Sequence, residues 1–430
     1  MKYYSTNNKE LRYSFKEAVL KGLAPDNGLF FPVSIPQLGN DFFKCLPNMS
    51  MSDIGYEVAR SFVGEDISDY VLEDITKDAF NFKIPVVEVE KEVYSLELFH
   101  GPTCAFKDVG ARFMSRCLSA FSKQSGQKIT ILVATSGDTG SAVANGFLGV
   151  DGVDVIILYP KDKVSKIQEQ QLTTMGGNIT ALEVDGNFDD CQAMVKKAFA
   201  DKELNTKLNL TSANSINIAR LLPQSFYYFY AWGQLNSIDK EVVVSVPSGN
   251  YGNLSGGLLA KQMGLPISYF IASSNINKVI PDYLKSGKYE PKSSISTISN
   301  AMDVGAPSNF DRILQLYKQN YGSVIQDIKG AWFSDKETKL AVLDVYERTG
   351  YIMDPHGAIG YLGLKKYLNK ENQLGIFLET AHPAKFKDTV EKVLGNKIVI
   401  PNQLGKCLSK EKKSWIIEND FSALKNYLFR

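Results

Sequence analysis

From about Lys128 onward the chain alternates two patterns, apolar β-branched runs of strand length and stretches with helical spacing. "KITILVATSGDTG" reads as a buried strand and a small-residue turn, with a helix in "SAVANGFLG". "VDVIILYP" is a second buried strand, and "VSKIQEQQLTTMGG" is a helix with a glycine stop. "NITALEVDG" is again a strand and "DDCQAMVKKAFAD" a helix. "EVVVSVPSGNYGN" is a strand running into a glycine loop ahead of the helical "LSGGLLAKQMG", while "PISYFIASS" and "QLGIFLETAHP" are later strands. Such alternation predicts β-α units, a mostly parallel sheet and the α/β class. In sheets of this kind ligands sit beyond the carboxyl ends of the strands. The turns "ATSGDTG", "VPSGNYGN" and "LETAHPAKF" are therefore expected to carry the chemistry.

The first hundred residues read differently. "YSFKEAVLKGL" is helical, "APDNGLFFP" is a turn-rich loop and "DIGYEVARSFVG" is a second helix candidate. A separate N-terminal subdomain, 1–95, is expected. Residues 396–430 are Lys-rich and end in the amphipathic "SALKNYLF", a helical tail that packs by one face. At 430 residues the chain is too long for one ordinary core, so the stretch 96–395 is expected to hold two subdomains.

Charge excludes several functions. Lys+Arg number 48 and Asp+Glu 47, and the net charge of +1 leaves no footprint for nucleic acid or an anionic membrane. No apolar run approaches the ~20 residues of a membrane helix, and "MKYYSTNNKELRYSF" has no signal-peptide core. A cytoplasmic enzyme is the expectation. The five cysteines, Cys45, Cys104, Cys117, Cys191 and Cys407, are scattered without a CxxC, and only three histidines accompany them. That pattern fits reduced thiols and no zinc site. Cys104 reads as a packing residue rather than a nucleophile.

Five segments invite a chemical reading. In "LFHGPTCAFKDVGARF" a single lysine, Lys107, stands between a Gly-Pro-Thr turn and an amphipathic run. It is either a surface lysine near a helix start or an amine held for a carbonyl cofactor. In "VPSGNYGN", Gly249 and Gly252 let backbone N–H groups converge ahead of a helix start, which suits phosphate. No Walker or GxGxxG spacing is present. In "ATSGDTG", Ser136, Asp138 and Thr139 put two hydroxyls and a carboxylate at a strand end, where capping and ligand binding are compatible. In "SANSINIARLLPQ", Asn214, Ser215 and Asn217 precede Arg220, a set able to grip a second anion or merely a capped helix with a surface arginine. In "ETAHPAKF", Thr380 follows a strand, and a neutral hydroxyl facing a ring nitrogen leaves that nitrogen unprotonated. His382, before Pro383, reads as a general base or as structural, and His100 as structural.

Taken together and in this order, these five segments resemble the threonine synthase family, in the branch of bacterial and fungal enzymes with an added N-terminal segment. The opening "YYSTNN…SFKEAVLKGLAPDNGLFFP" is similar to that branch as well, so the resemblance spans nearly the whole chain. It implies the fold group of the tryptophan synthase β-subunit: two open, mostly parallel twisted sheets flanked by helices, plus the small N-terminal subdomain. It implies pyridoxal 5′-phosphate as cofactor, no metal, and Lys107 as the Schiff-base lysine. It assigns Gly249, Asn250, Tyr251 and Asn253 to the cofactor phosphate and its surroundings, Thr380 to the pyridine nitrogen, and Asp138 to the neighbourhood of the ring hydroxyl. Thr139, Asn214, Ser215 and Arg220, with Ser136 as a lesser member, match positions that hold the substrate phosphate. The implied reaction turns O-phospho-L-homoserine and water into L-threonine and phosphate, the last step of threonine biosynthesis, in a monomer or homodimer.

The chain departs from the family at Asn7, where arginine is frequent, at Cys104, where a larger apolar residue is common, at Tyr251, usually phenylalanine, and at Asn253, where aspartate occurs. The first departure bears on whether the N-terminal segment closes over substrate. Two other readings stand beside the family one. The first is a serine or threonine dehydratase of the same fold, acting on an unphosphorylated substrate. The second is a non-catalytic relative that binds the cofactor as a sensor.

Overall fold

The apolar runs are the strands of two sheets in a computed structural model that describes residues 1–135, 137–235 and 239–430. One sheet is wholly parallel, ordered Trp415–Ile417, Ile179–Val184, Val153–Pro160, Ile129–Ala134 and Asn209–Ser212. Its strands are apolar throughout because both faces are covered. Ile131, Val133, Val155 and Ile157 point into the main core, while Leu132, Leu158 and Leu182 point to the opposite side, under the Phe188–Ala200 and Phe421–Leu428 helices.

The second sheet is ordered Ile328–Trp332, Ile267–Ser274, Glu241–Pro247, Gln373–Glu379, Val93–Glu97 and Val86–Glu90. It is parallel except for its last pair. Residue 95 thus lies inside the strand Val93–Glu97, which belongs to this sheet. A small antiparallel sheet of Tyr3–Ser5, Asn8–Tyr13 and Phe30–Pro32 forms the N-terminal edge. The tail carries the expected amphipathic helix, Phe421–Leu428, with Leu424 buried. It also adds the short strand Trp415–Ile417 to the edge of the first sheet, which its exposed residues did not announce. No helix among the described residues is long and apolar enough to cross a membrane.

Strand order explains where the polar turns lie. Chain order reverses at Ile129–Ala134, which pairs with Val153–Pro160 on one side and Asn209–Ser212 on the other. It reverses again at Glu241–Pro247, flanked by Ile267–Ser274 and Gln373–Glu379. "ATSGDTG" and "VPSGNYGN" leave these two strands at their carboxyl ends, so each sits at a switch point where crossovers diverge and leave a crevice.

The Lys107–Ser125 helix links the parts. Phe113 on its buried face stacks on Phe80 at 6.2 Å and meets Phe226 edge-on at 6.0 Å. These rings join the N-terminal segment, the central helix and the Phe226–Gln234 helix. Phe113→Ala is expected to lower stability by about 3–5 kcal/mol. A shift in the denaturant midpoint with an unchanged m-value checks this, and a loss below ~1 kcal/mol contradicts the placement of this ring in the core.

Candidate active site

Lys107 opens its helix, and the loop before it is laid along the end of the Gln373–Glu379 strand. Leu98 N–H donates to the Glu379 carbonyl at 2.9 Å, Phe106 N–H to that of Thr380 at 2.8 Å, and His382 N–H to that of Cys104 at 3.0 Å. This pairing brings Lys107 and Thr380 from distant parts of the sequence to one cavity of about 1940 Å³. One turn into the helix, Gly110 permits close packing: a Cβ there would stand 2.9 Å from the Arg220 carbonyl oxygen. The Lys107 amine lies 4.9 Å from the Phe106 ring centre. Burial lowers its basicity, the charges of Lys385 and Arg220 lower it further, and Asp138 and Asp354 act against them.

Asp138 is buried at the start of its helix. Its Oδ1 accepts from Lys385 Nζ at 2.8 Å and from Gln168 Nε2 at 2.9 Å. Burial alone would raise its carboxyl pKa, but Lys385, Lys107 and Gln168 outweigh burial and hold it well below the usual range. Lys385 is itself fully buried and gives a second bond to the Thr103 carbonyl at 3.0 Å. Thr139 follows Asp138 on the cavity wall, and Ser136 lies outside the described residues.

Across the cavity, the 249–253 loop approaches its surroundings closely. A Cβ on Gly249 would fall 2.5 Å from the Ala301 carbonyl oxygen. Tyr251 takes the left-handed region, φ 60°, which is costly for an aromatic residue, and its hydroxyl is tied to Ser274 at 2.6 Å. The Gly252–Gln262 helix then begins without a side-chain cap at Tyr251, so the Gly252 and Asn253 amides open the helix beside the cavity without an intrahelical partner. Asn253 is spent within the loop: its amide donates to the Pro247 carbonyl at 2.8 Å and accepts from Leu254 N–H at 3.0 Å. Asn250 bridges outward, donating to Ser215 Oγ at 2.7 Å and accepting from Ser308 N–H at 2.6 Å.

That bridge reaches the second anion segment. Asn214, Ser215 and Arg220 line the same cavity. Asn217 points away and caps the short helix that follows, by accepting from Ala219 N–H at 3.0 Å. Arg220 is buried, not a surface arginine. Its Nη1 donates to the Ala213 carbonyl at 2.5 Å, while Nε has no hydrogen-bond partner among the described residues. Burial brings its pKa down to about 10, with only Asp108 acting the other way. A buried guanidinium with an idle donor suits a bound oxyanion.

Family models match this chain in three blocks: a pyridoxal-phosphate dependent enzyme over residues 84–376, a threonine synthase N terminus over 2–80 and a threonine synthase C-terminal region over 357–428. The chain is 46% identical over 431 residues to the threonine synthase of Haemophilus influenzae, covering 100% of both.

The chain belongs to the threonine synthase family. The crystal structure of threonine synthase from Escherichia coli superposes with a TM-score of 0.93 at 42% identity, covering 100% of this chain and 99% of that one. The PLP-bound threonine synthase from Brucella melitensis gives 0.94 at 34% identity, covering 100% and 98%. The residues present here fit pyridoxal 5′-phosphate: an enclosed amine of lowered basicity, an uncapped helix start beside a glycine that tolerates no Cβ, and a neutral threonine hydroxyl share one cavity.

Of the candidates among the described residues, all but Asn217 and His382 border this threonine synthase cavity. Lys385 went unrecognised, although a lysine in the small-residue run "AHPAKF" was a visible signal. Asp354 and His356 were also missed. Asp354 caps the Pro355–Tyr367 helix and holds His356 Nδ1 at 2.5 Å, and the ring borders the cavity. "DPHG" had the form of an ordinary helix start, an acidic cap before proline, and nothing marked it as part of a site. His100 pairs with Glu97 at 2.6 Å. Burial pushes the Cys104 thiol up to about 12, which fits packing rather than nucleophilic chemistry.

His382 serves as a cap, with Nδ1 accepting from Ala384 N–H at 3.1 Å. Burial, helped by the charge of His100, lowers its pKa from 6.5 to about 4. The unfolded chain therefore binds a proton in that window that the folded chain refuses. The stabilisation is complete above 6.5 and is lost as pH falls toward 4. Denaturant unfolding of wild type and His382→Asn is expected to show wild type losing stability relative to the variant by up to about 1.4 kcal/mol per pH unit in this window. A pH-independent difference contradicts the neutral cap.

Proposed function

We propose that this chain catalyses the conversion of O-phospho-L-homoserine and water to L-threonine and phosphate, with pyridoxal 5′-phosphate anchored on Lys107. One observation carries the reading: a buried amine of lowered basicity shares a cavity with two separate anion-ready segments, 249–253 and 214–220. A phosphorylated cofactor and a phosphorylated substrate need two such places at once. A dehydratase with an unphosphorylated substrate needs a place for only one phosphate.

When bound, the cofactor draws electrons away from the substrate α-carbon. The chain's residues do the rest. Gly249, Asn250, Tyr251 and the helix start at Gly252 hold the cofactor phosphate, while Asn253 keeps the loop in shape from within. Thr380 offers its hydroxyl to the pyridine nitrogen and so leaves that nitrogen without a proton. Asp138, kept anionic by Lys385, stands near the ring hydroxyl. Arg220, Asn214, Ser215 and Thr139 bind the substrate phosphate, with Ser136 beside them, and orient it for departure from the γ-carbon. Lys107, once freed by the substrate amine, carries protons between substrate carbons at Nζ. Its lowered basicity supports that task, because a lysine accepts protons only in its neutral form. Water adds at the β-carbon.

The stretch 20–29 of the proposed N-terminal subdomain, 1–95, supplies one wall of the cavity. Balanced charge and five free cysteines support a cytoplasmic setting.

Lys107→Ala is expected to abolish turnover and the visible absorbance of the cofactor-loaded protein. An active alanine variant with normal absorbance removes Lys107 from the site. Arg220→Ala is expected to lower kcat/KM for O-phospho-L-homoserine by about ten- to a hundredfold, the worth of a charge-assisted bond. An unchanged kcat/KM removes Arg220 from the substrate site.

A further inference from the structure

Arg312 is the bulkiest fully buried side chain among the described residues, and the mechanism above does not use it. Its guanidinium gathers three distant segments. Nε and Nη2 donate to the Phe30 carbonyl at 3.2 and 3.1 Å, and Nη2 also donates to the Ile216 carbonyl at 2.5 Å. Nη1 donates to the Ser215 carbonyl at 3.2 Å and to Asn309 Oδ1 at 2.7 Å. All four acceptors are neutral, and among the described residues no carboxylate oxygen comes within 4.0 Å of the guanidinium. Asp311, its neighbour in sequence, is the acidic group whose charge acts on it, and burial raises the Asp311 carboxyl pKa. Burial lowers the Arg312 pKa to about 9, so the group remains a cation at neutral pH.

A buried cation with no carboxylate in contact is costly, and hydrogen bonds to neutral carbonyls repay only part of that cost. Its partners lead to the cavity. Asn309 Nδ2 donates to Ser215 Oγ at 3.3 Å, and Asn250 Nδ2 donates to the same oxygen at 2.7 Å. Ser215, Ile216 and Asn250 border the cavity, and Arg312 stands behind them.

We propose that Arg312 is a positioning residue for anion binding: it fixes Ser215, Ile216 and Asn309 from behind, and a phosphate dianion in the cavity compensates its charge. This rests on the reading of the 214–220 segment as a phosphate site.

Asn309→Asp tests it, because a carboxylate at Asn309 would neutralise Arg312 from inside the fold. Arg312→Lys keeps the charge but loses the fork. Inorganic phosphate is titrated into cofactor-loaded protein and followed by thermal unfolding, and pyridoxal 5′-phosphate is titrated separately into cofactor-free protein. Asn309→Asp is expected to unfold no earlier than wild type, yet to weaken phosphate binding about tenfold or more. KM for O-phospho-L-homoserine is expected to rise in step, with kcat within about threefold. Folded Arg312→Lys is expected to weaken phosphate binding as well. Weaker cofactor binding alongside weaker phosphate binding extends the role to both anions. Wild-type phosphate affinity and KM in folded Asn309→Asp overturn the proposal, as does a loss confined to the cofactor or a clear fall in its unfolding temperature. If wild type itself does not turn over O-phospho-L-homoserine, the proposed function fails, while the phosphate titration still decides the role of Arg312.

Discussion

Lys107, Lys385, Arg220 and Arg312 stand at or just behind the wall of one cavity, and only Lys385 has a carboxylate at ion-pair distance, Asp138, among the described residues. Concentrating positive charge away from water is expensive, and Asp138, Asp108 and Asp311 offset part of that cost. On the proposed function, the phosphates of cofactor and substrate supply the rest. Burial first of all lowers the basicity of Lys107, and Lys385 and Arg220 lower it further against the pull of Asp138 and Asp354. The readiness of the amine thus comes chiefly from its burial in the cavity wall.

The backbone makes this distribution possible. One parallel and one mostly parallel sheet each reverse their strand order, and each reversal opens a crevice at the carboxyl end of the strand involved. One crevice receives Asp138 and the other receives the 249–253 loop. The Lys107 helix and the Phe80, Phe113 and Phe226 rings hold these parts together. At the N-terminus the Asn7 side chain donates to the Asp26 carbonyl at 3.0 Å.

The legible parts of the sequence were those with strong local pattern. The continuously apolar strands were readable because both sheet faces are buried, and the polar turns after them were readable because small residues and glycines there have few other uses. Lys107 gained meaning only from four distant segments, since one lysine at a helix start is ordinary by itself. Long-range electrostatics was not legible. Whether an arginine is buried depends on packing across the fold, so Arg220 could be read as a surface residue and Arg312 drew no notice. His356 was hidden because it sits in a segment that looks like a routine helix start, and the pairing of Lys385 with Asp138 depends on packing across the fold. The strand Trp415–Ile417 was hidden because its residues are largely exposed and only an edge pairing defines it.

The two-anion reading meets its most direct test in the products made by the purified, cofactor-loaded protein from O-phospho-L-homoserine. L-Threonine and inorganic phosphate are measured in the same samples, together with ammonia and keto acid. The reading predicts threonine and phosphate in equal amounts with no ammonia. Ammonia and a keto acid from unphosphorylated serine or threonine, with no phosphate released from O-phospho-L-homoserine, would contradict it.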